Sequence, residues 1–480
     1  MLRDKAEKAV LWSGLDTLIR RGFGFGISVA LARLLTPDDF GTVALLSLLI
    51  GVASLFVDAG LGMALIQRQD VTREDESTVF WFNLIVAFVM MLGLCAGAEW
   101  IAEFFEKPVL VPLTIILALN IFIGALGTIH GTLMTKRLDF KTPMKVGVST
   151  SIAGGLVAVH MAWDGYGLWA LVGQTLTASV LGVALLWRWS TWRPALIFSP
   201  TSFKKLFGFS GWLFLSWLLD VVYQRGYTAL IGKFYGTHDL GIYNRADSMQ
   251  SLASGVMTDV LSKAAFPLFS AINNDIDRMK RGMRVAVQTM MLITTPTMMG
   301  LAVLAEPLIA LVFGERWRPA APILQVLCFV GLLYPLHVIN LNVLQAHGRS
   351  NLFFRLELAK KSSGVALLIL GSFYGLLGIA VARGLSSLVA LGLNGFYTGK
   401  FLNYGIKTQI KDSGTSVVFS LAMAFVVFTI HDRLSAKGPI GAVDLVALIA
   451  FGAFIYLSLN CLCKAEAYLR VRQIARGKAI

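Results

Sequence analysis

The sequence predicts an all-α polytopic membrane protein of about 14 transmembrane helices, built as two six-helix lobes in parallel repeat plus two C-terminal helices. Composition, the length of the apolar runs and the placement of Lys and Arg carry that reading. Hydrophobic residues make up 56% of the 480 and charged residues only 15%, where a soluble domain carries about 25% charged. Mean hydropathy is +0.70. The apolar runs are about 20 residues each, enough for a helix to cross a hydrocarbon layer of ~30 Å. They are continuous rather than alternating over ~10 residues, which excludes a β-barrel.

The runs lie near 10–32, 40–66, 78–101, 110–134, 144–163, 167–187, 206–232, 240–268, 284–305, 319–345, 358–374, 376–399, 414–430 and 443–463. Short connections leave no room for a large extramembrane catalytic module. With the N-terminus inside, 29 of the 42 Lys and Arg fall in cytoplasmic segments and seven on the opposite side, as the positive-inside rule requires. The expectation is a multi-pass protein of a bacterial inner membrane with both termini cytoplasmic. The net charge of +14 is then orientation signal and affinity for anionic headgroups, and no nucleic-acid partner is expected. Cys95, Cys328, Cys461 and Cys463 sit in or at the ends of apolar runs, so neither a disulfide framework nor a zinc site is expected. Arg20-Arg21-Gly22-Phe23 imitates a twin-arginine signal. The residues before it, Val10 to Ile19, are already largely apolar, where a signal would be basic, so no cleavage is expected.

A long repeat organises the chain. "RLLTPDDFG" (33–41) and "KFYGTHDLG" (233–241) share a pattern, each closing one apolar run and opening the next. Asp58 has a counterpart in Asp259, Ser13-Gly14 in Ser210-Gly211, and Arg21-Gly22-Phe23 in Arg225-Gly226-Tyr227 at an offset of about a helical turn. "AEFFEKPVLVPL" (102–113) parallels "ALVFGERWRPAAPI" (310–323). Six runs separate equivalents, so both copies point the same way. The lobes are 1–200 and 201–405, followed by two helices and a basic tail at 406–480. Parallel repeats in transporters face one another across a central cavity. At the first seam Thr36 suits the N-cap, Pro37 the first helical position, and Asp38 and Asp39 the positive end of the dipole; Thr237 and Asp239 repeat that logic without the Pro. Pro267, Pro296 and Pro335 are candidates to kink their helices.

"LARLLTPDDFGTVAL", "FVDAGLGMALIQRQDVTREDESTVFWFNL" (56–84) and "LNVLQAHGRSNLFFRLELAKK" (341–361) together resemble the Wzx-type polysaccharide transporters, nearest to their colanic-acid and teichuronic-acid exporter branch. That family lies within the multidrug/oligosaccharidyl-lipid/polysaccharide superfamily. The resemblance covers roughly residues 5–405. It implies a two-lobed flippase that moves an undecaprenyl-pyrophosphate-linked oligosaccharide from the cytoplasmic to the periplasmic leaflet by alternating access. Its implied partners are that lipid-linked glycan, the surrounding lipids and the polysaccharide polymerase and export machinery. No catalytic residues, metal or cofactor come with it.

Site residues must therefore come from charges inside the membrane, each of which costs several kcal/mol unless it faces protein or water. Six basic residues lie within runs: Arg20, Arg21, Arg225, Arg245, Lys263 and Arg383. Guanidinium forks bind a pyrophosphate bidentately, so Arg20, Arg21 and Arg225 are candidate headgroup contacts, Arg245 an exit-side contact and Arg383 a contact of the second lobe. Structural pairing competes in each case: Asp16 or Asp220 with Arg20 and Arg21, Asp220 and Tyr223 with Arg225, Asp247 with Arg245. Lys263 reads as the partner of Asp259 at the favourable i,i+4 spacing. Asp58 and Asp259 are candidates for coupling to a proton or sodium gradient. Two other functions compete. A multidrug or cation antiporter of the same superfamily would favour an acid-lined site, whereas the embedded charges are mainly Arg. A membrane glycosyltransferase acting on polyprenyl-linked sugars would need a carboxylate cluster, and the one present, Glu74-Asp75-Glu76, sits where a helix start needs acids.

Overall fold

The computed structural model describes residues 19–68, 70–271, 275–346 and 350–475, with the side chains at 209–210, 212–213, 256–271, 344–346, 350–354 and 474–475 outside the description. The described residues are helical almost throughout, in two compact units, 1–241 and 242–480. Ten of the helices are long and apolar enough to span a membrane.

In the first unit, α1 covers 19–34. The second apolar run folds as three pieces, α2 (Pro37–Leu45), α3 (Ser47–Asp58) and α4 (Leu61–Gln67). The break between the last two is a left-handed pair, Ala59 at φ 44° and Gly60 at φ 74°. Then come α5 (Arg73–Ala96), α6 (Ala98–Phe104), α7 (Leu110–Lys136), α8 (Lys141–Trp163), α9 (Trp169–Trp189) and α10 (Pro200–Phe234). Capping explains the starts. Thr36 accepts the Asp39 N–H and Asp39 accepts the Thr36 N–H, with Pro37 in the first turn. Thr72 and Asp75 form the same box at α5, which satisfies donors that a helix start leaves open.

The segment between α9 and α10 is strapped to α5. Trp81 Nε1 donates to Ala195 O at 2.8 Å, the Ala195 N–H to Ser77 Oγ at 3.1 Å, and the Ser199 N–H to Thr78 Oγ1 at 3.0 Å. Trp192 Nε1 donates to Glu76 Oε2 at 2.6 Å. Trp192 thereby joins a core of Leu61, Leu65, Val79, Phe80, Ile129 and Leu206, and the start of α10 is fixed beside α4.

The two seams close on one another. A Cβ on Gly41 would stand 1.7 Å from Thr237 O, and a Cβ on Gly241 would stand 1.9 Å from Pro37 O. These positions are equivalents in the repeat, so the contact is reciprocal, backbone to backbone, and only glycine permits it. Thr237 departs from the expected capping: its hydroxyl bonds Asp38 of the other seam. The helix it belongs to, α11 (Gly236–Ala271), starts one residue earlier, at Gly236 with φ 88°.

The second unit takes up most of α11 and continues with α12 (Ile276–Val303), α13 (Ala305–Phe313), α14 (Ala320–Ala346), α15 (Ser350–Ser372), α16 (Gly375–Leu402), α17 (Ile406–Ser435), α18 (Ala442–Leu462) and α19 (Glu466–Ala475). Helix α12 packs on α14 and α17, and α16 on α14 and α15. Leu292, Leu304, Met423, Val427, Leu445, Leu448 and Tyr456 form the core where α12, α17 and α18 meet.

Candidate functional site

Three of the five candidate arginines belong to the first unit, and all three retain exposed surface. Arg20 is exposed on α1, with its guanidinium laid over Gly147 of α8, where a Cβ would come within 2.7 Å of Nη1. Arg21, the next residue, is half-buried; neighbours on a helix point about 100° apart. Arg225 is exposed on α10. Gly51 of α3 makes room for that helix: a Cβ there would lie 3.4 Å from Val221 Cγ1 and 4.0 Å from Arg225 Cγ. Two residues either side, the Tyr223 and Tyr227 hydroxyls are 3.3 Å apart. Asp16 lies outside the described residues.

Arg245 and Arg383 have other surroundings. Arg245 on α11 is 6% exposed. Its guanidinium carbon stands 4.7 Å from the Phe313 ring centroid and 4.6 Å from that of Trp317. Trp317, fully buried, lies in the short 3-10 turn Glu315–Trp317 after α13. Arg383 on α16 donates to Asp247 Oδ1 at 2.6 Å and reaches Tyr243 Oη at 3.5 Å. Asp247, which the sequence places beside Arg245, is thus paired with a residue 136 positions away.

Of the acids, Asp58 ends α3, and its carboxylate reaches across the left-handed turn to α4, where a Cβ on Gly62 would stand 3.0 Å from Oδ1. The side chains of Asp259 and Lys263 lie outside the described residues. A second charged group lies on α15, where Lys360 and Lys361 have side chains 10% and 16% exposed and both pair with Glu357. Their Glu-x-x-Lys-Lys spacing puts both amines on one helix face with the acid. Among the described residues, no group of three or more His, Cys, Asp or Glu could hold a metal ion.

The second unit also holds a cavity of about 610 Å³ between α12, α17 and α18, with Tyr468 and Val471 of α19 along one side. Its lining is almost wholly apolar, from Leu292, Leu301, Met423, Val427, Leu448 and Leu457. Pro296 of α12 lines it too. Lacking an N–H, Pro296 leaves the carbonyl four residues earlier without its helical donor. That carbonyl is Leu292 O, and Tyr456 Oη of α18 donates to it at 2.8 Å. Beside it, Ser420 Oγ donates to Thr295 Oγ1 at 2.9 Å.

Comparison with known proteins agrees with this architecture. The succinoglycan biosynthesis transport protein ExoT of Rhizobium meliloti (strain 1021) is 27% identical over 471 residues, 97% of this chain and 95% of its own. The teichuronic acid biosynthesis protein TuaB of Bacillus subtilis (strain 168) is 29% identical over 440 residues, 89% of this chain and 88% of its own. Among solved structures, the lipid II flippase MurJ in an inward closed conformation superposes with a TM-score of 0.76 at 16% identity, covering 94% of this chain and 98% of that one. It shows that the fold is that of a polytopic α-helical transporter. A family model described as polysaccharide biosynthesis protein matches residues 30–322, more than half of the 480 residues, and the chain belongs to that polysaccharide biosynthesis protein family.

Proposed function

We propose that this chain is a flippase that moves a polyprenyl-pyrophosphate-linked oligosaccharide from the cytoplasmic to the periplasmic leaflet of the inner membrane by alternating access. The observation that carries the reading is the set of arginines with exposed surface on membrane helices: Arg20 and Arg21 on α1 and Arg225 on α10. A guanidinium there is costly unless it meets water, an acid or an anionic ligand, and a pyrophosphate is a dense anion suited to its fork. Arg245 and Arg383, enclosed by aromatic rings and by Asp247, hold the second unit together instead. The apolar cavity beside Pro296 suits hydrocarbon rather than sugar, in keeping with a substrate that carries a long polyprenyl tail.

The relatives support the same class. Their names place them in the transport and biosynthesis of surface polysaccharides, and the structural neighbour is a lipid II flippase. The protein acts without chemical conversion of its substrate, with both termini cytoplasmic and a polymerase or export complex downstream. Asp58 and Asp259 remain the carboxylates through which an ion gradient would act.

The test is leaflet accessibility of labelled undecaprenyl-pyrophosphate oligosaccharide in sealed vesicles with and without the protein. Wild type moves the lipid across, while Arg21→Ala and Arg225→Ala insert in normal amounts and slow movement by at least about tenfold, as expected for the loss of a charged hydrogen-bond donor. Full activity in both variants overturns the cationic site. Efflux of lipophilic cations from the same vesicles, with the glycan lipid left in place, overturns the substrate class.

A further inference from the structure

A second cationic site lies away from the mid-membrane arginines. Helix α4 ends in Gln67 and Arg68, and the strapped start of α10 brings Lys205 and Leu206 against them around a pocket of about 380 Å³. Among the described residues, the charged side chains lining it are Arg68 and Lys205. They stand 137 positions apart in sequence, and in the sequence they belong to the excess of cytoplasmic charge that orients the chain and attracts anionic headgroups. Lys136 makes the floor rigid: its ammonium donates to the carbonyls of Leu65 and Arg68 at 2.8 Å each, closing the C-terminal end of α4.

The nearby acids are accounted for. Asp75 is taken up by the Thr72 cap, and Glu76 by the Trp192 indole. Asp70 alone spans the cations, 3.2 Å from Arg68 Nη2 and 3.8 Å from Lys205 Nζ, with its own side chain 68% exposed. An exposed carboxylate held by two cations at the rim of a pocket occupies the place of an external anion and can swing out to yield it.

We propose that this pocket binds the phosphate or pyrophosphate headgroup of a membrane lipid at the cytoplasmic face, with Asp70 as the internal counter-ion that the headgroup displaces. Oxygen anions carried by a lipid fit the site because Arg68 supplies a planar fork and Lys205 a mobile ammonium, both at the level where positive residues meet the headgroups. The assignment to the cytoplasmic face rests on the orientation in the proposed function; the anion chemistry does not. Two sources share the chemistry, bulk anionic phospholipid and the pyrophosphate-linked substrate on its way in.

The experiment uses the full chain in phosphatidylcholine nanodiscs, titrated in one arm with undecaprenyl pyrophosphate and in the other with phosphatidylglycerol, with bound lipid counted by native mass spectrometry. The combined variant Arg68→Gln/Lys205→Gln weakens binding by about tenfold, and Asp70→Asn tightens it severalfold, since charged hydrogen bonds are lost in one and a competing anion in the other. A change confined to the pyrophosphate arm makes the site an entry point for substrate, and a change confined to phosphatidylglycerol makes it a bulk-lipid site; each supports a headgroup site. Unchanged affinity of both variants in both arms overturns it. Because Arg225→Ala leaves this pocket intact, retained headgroup binding with lost flipping in that variant separates failure here from failure of the flippase reading.

Discussion

Arg225 and Arg245 stand twenty positions apart in the sequence, on consecutive helices. Arg225 is exposed on its helix beside a pair of tyrosines. Arg245 is 6% exposed and clasped between two aromatic rings. A hydropathy reading assigns them the same cost and the same suspicion of function. The difference teaches that two cations alike in the local sequence can differ in whether the fold wraps a partner around them or leaves a face open. The partner of Arg245 comes from Phe313 and Trp317, about seventy residues on, and is invisible in the local sequence.

The comparison breaks most directly at Arg245. Arg245→Ala removes a desolvated cation from two ring faces and leaves a hole, and we expect a loss of about 3 kcal/mol, since such contacts reach ~2 kcal/mol or more when dry and cavities add to that. Thermal unfolding in detergent followed by Trp fluorescence measures it. Arg225→Ala should stay within ~0.5 kcal/mol, as surface truncations do. Equal effects on stability would erase the distinction between the two arginines.

Tyr456 provides the next test, of whether the second unit satisfies its own irregularities. Tyr456→Phe strands the Leu292 carbonyl that Pro296 has freed, at a cost of about 1–2 kcal/mol for an unmet buried polar group. In a Pro296→Ala background an N–H returns to that carbonyl, and Tyr456→Phe should then cost less than ~0.5 kcal/mol, a coupling that a double-mutant cycle isolates. An undiminished cost in that background would mean that the hydroxyl serves something other than the kink.

Arg383 and Asp247 should couple more weakly. Both side chains keep some exposure, 23% and 31%, and solvent screens such pairs. A cycle of Arg383→Ala and Asp247→Asn should give about 1 kcal/mol of coupling, between surface and buried values. Coupling near zero would mean that Asp247 does not hold Arg383 in place.

What was legible in the sequence divides along the same line. The caps at Thr36 and Thr72 were readable because an N-cap and its acid lie three residues apart, and so was the repeat, because it is a pattern of letters. The closure of Gly41 on Thr237 and of Gly241 on Pro37 was not. The repeat marked the two glycines as equivalent, and only the fold shows that each makes room for the other's backbone. The partner of Asp247 lies beyond any helical spacing.

The smallest effect belongs to a pair at the surface. Lys233 donates to Glu106 Oε1 at 2.9 Å and to Phe104 O at 2.6 Å. The hydrogen bond and charge of Lys233 hold the Glu106 carboxyl below its usual range. A carboxylate whose folded value is depressed stabilises the fold above its unfolded value of about 4.3 and stops doing so as pH falls through the lower, folded value. Glu106→Gln should therefore unfold like wild type in acid, with a slight deficit that opens only as pH rises past that window. Acid titration of both proteins from about pH 6 to about pH 3 by Trp fluorescence checks this. A deficit of constant size across the range would mean that Glu106 acts through packing and not through its charge. Set against Arg245, which no pH in that range can discharge, the pair shows how far enclosure, rather than the mere presence of a partner, decides what a charge contributes.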